Sequence, residues 1–177
     1  MSDKRGETEI VLAELARLAE IAAGILDGEE IKQVITAEAM HYIANPDPRY
    51  RFLAGDYYDV DSELFLRTKK LLLRIERLGH VPVDSSVWVP VPGRDAITLA
   101  VQNGVNHRYY TFGQEQLATP PAIQRVFDSS AIESVGPNGD APPQLATALA
   151  PVKDSLGDVV GVAEFTALLT GNPASWN

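Results

Sequence analysis

The stretch Ala148–Leu168 reads ALAPVKDSLGDVVGVAEFTAL and contains two apolar runs separated by the polar segment 154–158. Apolar, β-favouring runs on both sides of a short turn that contains glycine are typical of a β-hairpin, because glycine adopts the positive φ that tight turns need. A strand that is apolar on both faces is typical of the centre of a sheet that is covered on two sides. The second run has this property, with Val160 and Val162 on one face and Val159, Gly161, Ala163 and Phe165 on the other. We therefore expect a closing hairpin whose second strand is central.

The N-terminal part of the chain predicts helices. Between residues 7 and 27, apolar residues recur every three or four positions, at Val11, Leu15, Leu18, Ala22 and Ile25. Such a seam has two interpretations: the helix packs on its own domain, or it also pairs with its twin in a dimer. Asp27 can then cap a second, short helix with the apolar face Ile31, Val34 and Ile35, and Glu30 stands where a capping box would place it.

The remaining elements follow in order along the chain. A helical pattern covers residues 62–78 and stops at Gly79. Over residues 85–91 and 95–102, apolar residues recur at every second position instead of every third or fourth. This pattern predicts two strands joined by the turn Pro92-Gly93-Arg94-Asp95. Residues 108–112 fit a third strand or a lining loop, Pro120-Pro121 opens a helical segment to Phe127, and 134–143 reads as loop. The fold class is therefore α+β, with long N-terminal helices followed by a five-stranded antiparallel sheet.

Composition narrows the classes of partner. The 177 residues are enough for one domain with a sizeable core, and the formal net charge of −9 argues against a nucleic-acid partner. The chain has no cysteine, no hydrophobic run behind its N-terminus and no stretch long enough to cross a membrane. We expect a cytoplasmic protein if Met1 is the native start, and otherwise an extracytoplasmic region excised from between membrane helices.

Catalytic and metal-binding patterns are not found in the sequence. His41, His80 and His107 are not spaced as metal ligands, and no nucleophile elbow or phosphate loop occurs. Asp56, Asp59 and Asp61 invite a calcium interpretation, but an EF-hand also needs a glycine at its sixth position and a glutamate at its twelfth. Asp61 or Ser62 is better explained as a helix cap. We expect no enzyme activity, no cofactor and no metal.

The amino-acid sequence of the closing hairpin resembles that of a known family. A strand ending in Ala-Pro-Val-Lys-Asp, a glycine turn and then Val-Val-Gly-Val is similar to the last hairpin of the Cache sensor domains of bacterial signalling proteins, which are extended relatives of the PAS fold. The resemblance in pattern covers about residues 8–169. It implies a single sensor domain there, with a dimerisation helix at 8–27, a disordered N-terminus at 1–7 and a tail at 170–177.

The resemblance also implies a ligand pocket between the sheet and the helices that cross it. Arg108, Tyr109 and Tyr110 stand where a pocket wall is expected, and a guanidinium with phenols can hold a small carboxylate or amine. Trp88 and Arg94 complete the predicted ligand site. Each residue has a structural alternative: the tyrosines as core or rim aromatics, Trp88 as core and Arg94 as a surface turn residue. At the level of the whole protein, the alternatives are a dimerisation module of the same fold without a ligand, and a small enzyme.

Overall fold

A computed structural model describes residues 2–46, 60–103, 117–137 and 144–169, except for the side chains of residues 2–5 and 117. The helices are α1 (Ser2–Ile25), α2 (Gly28–Val34), α3 (Ala37–Ala44), α4 (Ser62–Glu76) and α5 (Pro121–Ser129). The strands are β1 (Asp84–Pro90), β2 (Ala96–Gln102), β3 (Leu117–Ala118), β4 (Glu133–Val135), β5 (Leu145–Lys153) and β6 (Val159–Leu168). The predicted α+β class with N-terminal helices before the sheet is confirmed.

All strands belong to one antiparallel sheet with the order β3-β2-β1-β6-β5-β4. The closing hairpin is confirmed as β5 and β6, and β6 is central because it pairs with β1 on its other side. Two edges differ from the prediction. The two-residue strand β3 adds an edge beside β2. Strand β4 overlaps the start of the predicted loop 134–143, because Glu133–Val135 pair with Thr147–Leu149 of β5.

The sheet has an inner face covered by helices and an outer face that carries α5. Along β6, Ala163, Phe165 and Ala167 lie on the inner face in the same core as α1, α2 and α4. On the outer face, Val162 packs with Ile123 and Val126 of α5. The alternation along each strand therefore sorts its residues into two separate apolar cores.

The apolar seam of α1 packs on its own domain. Leu15, Leu18 and Ala22 have no exposed surface and belong to the inner core, whereas Ile25 is 51% exposed. The interpretation in which α1 also pairs with a twin stays a prediction. Any such pairing would use residues of α1 other than these three.

Three helices begin directly after a side chain that caps their N-terminus. Asp27 caps α2 by accepting a hydrogen bond from the Glu29 N–H at 2.8 Å. Asp61 caps α4 by accepting from the N–H groups of Glu63 and Leu64, each at 3.0 Å, which accounts for that aspartate without calcium. Thr36 caps α3, a helix that the sequence analysis did not predict. Asp56 and Asp59 lie outside the described residues.

The turn between β5 and β6 is fastened to the start of α2. Lys32 Nζ lies 3.1 Å from Asp154 Oδ2, and Glu29 Oε1 accepts from the Ser155 hydroxyl at 2.7 Å. Gly28 makes this approach possible, because a Cβ placed on it would stand 2.3 Å from the Lys153 carbonyl oxygen. We refer to Gly28, Glu29, Lys32, Asp154 and Ser155 as the turn clamp.

We expect Gly28→Ala to lower the free energy of unfolding by roughly 2–4 kcal/mol, since either α2 or strand β5 must move to accommodate the methyl group. Gly24→Ala in α1 is the matched control, because nothing lies within 4 Å of a Cβ at that position. The control should be neutral or stabilising by up to about 1 kcal/mol. Urea unfolding of both variants measures the difference, and equal stabilities would contradict the proposed close contact.

Candidate functional site

Polar side chains gather on the outer face where β1 and β6 run side by side. Direct partners in an antiparallel pair point to the same face. Asp84 pairs with Thr166 and Ser86 with Glu164, and on the other flank of β6 Thr147 pairs with Thr166. We call these five residues the outer-face cluster. Apart from Thr147, its members have 5% or less of their surface exposed.

Glu164 is the centre of the hydrogen bonds in the cluster. The indole Nε1–H of Trp88 donates to Glu164 Oε2 at 2.6 Å, and the Thr166 hydroxyl donates to Glu164 Oε1 at 3.0 Å. The hydroxyl of Thr147 lies 3.3 Å from that of Thr166 and extends the chain of contacts to β5. Buried carboxylates are tolerated only with such partners, because their desolvation is otherwise costly. The hydrogen bonds therefore fix the orientation of Glu164 within the outer face.

An apolar wall continues from the cluster toward α5. Trp88 packs in one buried group with Leu99, Val162, Leu149 and Ile123. A mostly apolar surface with a few convergent polar groups is the usual composition of a small-molecule site. The outer face therefore combines a polar end, at Asp84 and Glu164, with an apolar end beneath α5.

The polar end carries two acids. Strands β1, β2 and β6 contribute Asp84 and Glu164 and, along their described lengths, no lysine, arginine or histidine. A positively charged group beside these carboxylates would be attracted by both, and a further carboxylate would be repelled.

The residues predicted for the ligand site separate in the structure. Trp88 is buried and joins the cluster through Glu164. Arg94 lies in the β1–β2 turn and donates to the Ile43 carbonyl at the end of α3 at 3.4 Å, so it does not join Trp88. Arg108, Tyr109 and Tyr110 lie outside the described residues, and their role stays a prediction.

The sequence analysis missed both acids of the cluster. Glu164 and Thr166 interrupt one face of an otherwise apolar strand, and Asp84 and Ser86 do so at the start of β1. Polar residues at every second position of an apolar strand were the signal that could have indicated this cluster. Such residues are ordinarily interpreted as facing solvent, so the pattern alone does not indicate a buried site.

A second polar group lies behind β1, on the inner face. Glu76, the last residue of α4, accepts from the Ser85 hydroxyl at 2.6 Å and from the Asn103 side-chain amide at 2.7 Å. Burial raises the pKa of the Glu76 carboxyl to about 7, the two hydrogen bonds oppose that rise, and the charge of Asp84 adds to it. We call Glu76, Ser85 and Asn103 the inner-face triad.

The described residues contain no group of three or more histidine, aspartate or glutamate side chains placed to hold a metal ion. Within the same ranges, no helix combines the length and the apolar character that crossing a membrane requires.

Comparison with known proteins gives distant structural similarities. No protein-family model matches the chain, and no curated protein is significantly similar to it. The ligand-binding domain of the Campylobacter jejuni chemoreceptor Tlp3 in complex with 4-methylisoleucine is 12% identical with a TM-score of 0.44, covering 91% of this chain and 60% of that one. Its complex with L-valine is 13% identical with a TM-score of 0.41, covering 93% and 62%.

The sensory domain of the same chemoreceptor gives a similar result, with 13% identity, a TM-score of 0.41 and coverage of 93% of this chain and 63% of that one. The chain thus spans about three fifths of the length of these solved domains.

The inner-face triad predicts how stability depends on pH. Glu76 binds its proton more tightly in the folded chain, with a pKa of about 7, than at its ordinary value of 4.5. Its contribution is therefore fully present below pH 4.5 and is lost as the pH rises through 7. Because Glu76 is partly exposed and solvent screens part of this effect, we expect the free energy of unfolding to fall by roughly 1–2 kcal/mol between about pH 4.5 and 8.

Urea unfolding across this pH range tests the expectation. Glu76→Gln should remove most of the decline, whereas Glu38→Gln, at an exposed acid of α3, should leave it unchanged. Glu14, Glu29 and Asp154 do not interfere, because their hydrogen bonds and ion pairs lower their pKa values and place their titrations below this range. A wild-type stability that is flat or rises between pH 5 and 8 would count against the triad.

Proposed function

We propose that this chain is a small-molecule sensing domain of a bacterial signal-transduction protein, with its ligand site on the outer face and its output through the N-terminal helix. The observation that carries the proposal is the buried hydrogen-bonded carboxylate of Glu164, between Trp88 and Thr166, where the outer-face cluster meets an apolar wall. A buried charge is costly for folding, so its presence is better accounted for by recognition than by stability.

The ligand that fits this site is a small amine with an apolar tail. The ammonium group would lie at Asp84 and Glu164, and the tail would lie along Trp88, Leu99 and Val162 toward α5. Charge-assisted hydrogen bonds to two carboxylates would fix the orientation of the ligand. Of the two classes considered from the sequence, an amine and a carboxylate, the acids of the outer face support the amine.

Output through α1 is supported by the packing behind the site. Strand β6 carries Glu164 on its outer face and Phe165 on its inner face, and Phe165 lies in the same core as Leu15 and Leu18 of α1. A displacement of β6 by a bound ligand would therefore act directly on the helix. Close-packed cores respond to such displacements by changing between discrete arrangements.

The second candidate is a structural or dimerisation module of the same fold. Both carboxylate oxygens of Glu164 already accept hydrogen bonds from side chains of the domain itself, as in a filled polar network. In this case the outer face would hold the sheet together and bind nothing.

A thermal-shift comparison of two ligands with the same tail separates these candidates. Isobutylamine and isovalerate share a branched apolar tail and differ in the sign of their charge at pH 7.5. At ten times its dissociation constant, a ligand that binds only the folded state stabilises it by about 1.4 kcal/mol. We expect isobutylamine to raise the melting temperature by roughly 3–6 °C and isovalerate to leave it unchanged.

Glu164→Gln and Asp84→Asn are the test variants, because each removes one charge while keeping the shape of the side chain. Either change should abolish most of the shift with isobutylamine, and Glu38→Gln, far from the site on α3, should not. No shift with any amine in a broader panel of amines and amino acids would favour the structural module. A shift with isovalerate instead would contradict the assignment of the ligand class.

A further inference from the structure

Strand β1 carries the two polar groups on opposite faces at neighbouring positions. Asp84 and Ser86 point to the outer face, and Ser85 between them points inward to Glu76. Ser85 is fully buried and Asp84 is 3% exposed, so solvent does not screen this region effectively. The carboxyl of Glu76 and Asp84 are therefore electrostatic neighbours across one strand.

The inner-face triad also determines where the ends of β1 and β2 lie relative to α4. Glu76 at the end of α4 bonds Ser85 of β1 with one oxygen and Asn103, just after β2, with the other. The Asn103 N–H donates to the Ser85 carbonyl at 2.8 Å, which joins the two strands at the same level. When Glu76 gains a proton, one of its oxygens changes from acceptor to donor, and the bond to Asn103 or Ser85 must reorganise.

Other charged groups near the end of α4 have partners of their own. Glu14 of α1 pairs with Arg17 at 2.8 Å and accepts from the His80 N–H at 3.3 Å, and Arg17 donates to the Leu78 carbonyl at 2.9 Å. From β1, the charged neighbour is Asp84, whose negative charge disfavours ionised Glu76. From α4 itself, Arg74 and Arg77 are exposed. Asp84 is thus the link between the triad and the outer face.

We infer that Glu76 is a proton-linked positioning residue for the outer-face site: loss of its proton reorganises the triad behind β1 and strengthens the hold of the outer face on a cation. The first half concerns the protein alone, and the second half rests on the proposed function. A bound cation would offset the charge of Asp84, which would favour ionised Glu76. By reciprocity, ionised Glu76 would favour the cation, so affinity should increase as the pH rises through neutrality.

The ligand-free half is tested by NMR titration between pH 5 and 9. The Glu76 side-chain carboxyl carbon reports its own protonation, and the Trp88 indole N–H, assigned with Trp88→Phe, reports the outer face. We expect both signals to move with one midpoint near 7. In Glu76→Gln the Trp88 signal should no longer move in this range.

Two neighbouring substitutions should move the midpoint in opposite directions. Asp84→Asn removes a negative charge and should lower it, whereas Ser85→Ala removes a donor to the carboxylate and should raise it. These variants keep the test decisive even if Glu76→Gln folds poorly. A Trp88 signal that ignores the Glu76 titration, or that still moves in Glu76→Gln, would overturn the inference.

The ligand half is tested with isobutylamine, which stays protonated from pH 6 to 8. We expect its dissociation constant to be about threefold lower at pH 8 than at pH 6 in the wild type, and independent of pH in Glu76→Gln. Equal affinities at both pH values would overturn the linkage while the proposed function stands. An absence of isobutylamine binding at both pH values, together with no shift from any amine of the broader panel, would overturn the proposed function and with it the linkage. The NMR midpoints would still report the coupling between the two faces in that case.

Discussion

The alternation of side chains along β1 and β6 is the constraint on which the rest of the structure depends. Both strands are buried on both faces, so each side chain must find either apolar contacts or hydrogen-bond partners on the face where it lies. On the inner face, small and aromatic apolar residues fit beneath α1. On the outer face, apolar residues lie beside hydrogen-bonded polar ones. A slip of one residue in the pairing would exchange Glu164 with Phe165 and place a carboxylate under α1. The pairing register of β1 and β6 is therefore fixed by the side chains on both faces of the sheet.

Much of the fold is encoded locally and could be predicted from the sequence. The hairpin around Gly157, the cap at Asp61 and the change of period after residue 85 each depend on a few neighbouring residues, and the structure confirms them. Strand β4 and helix α3 could not be found in this way. Strand β4 is only three residues long and exists because β5 offers it an edge, and α3 is a single short helix whose start depends on the Thr36 cap.

The candidate site was less predictable because it is assembled across strands. The sequence identifies Trp88 as a candidate, but its partner Glu164 is distant in the chain and meets it only through the β1–β6 register. Asp84 and Glu76 likewise become neighbours only when α4 packs behind β1. A sequence pattern identifies residues of suitable chemistry, whereas the pairing of strands decides which of them act together. Arg94, predicted for the same site as Trp88, is in the β1–β2 turn and donates to the end of α3 instead.

The turn clamp holds one end of the closing hairpin. The turn at Asp154–Asp158 is fastened to α2, and Val162–Thr166 of β6 pair with β1 along the middle of the strand. The last two pairs of the hairpin, Ala146 with Ala167 and Leu145 with Leu168, lie past the end of the pairing with β1. Fraying of the hairpin from this far end would therefore leave both the turn clamp and the β1–β6 pairing intact.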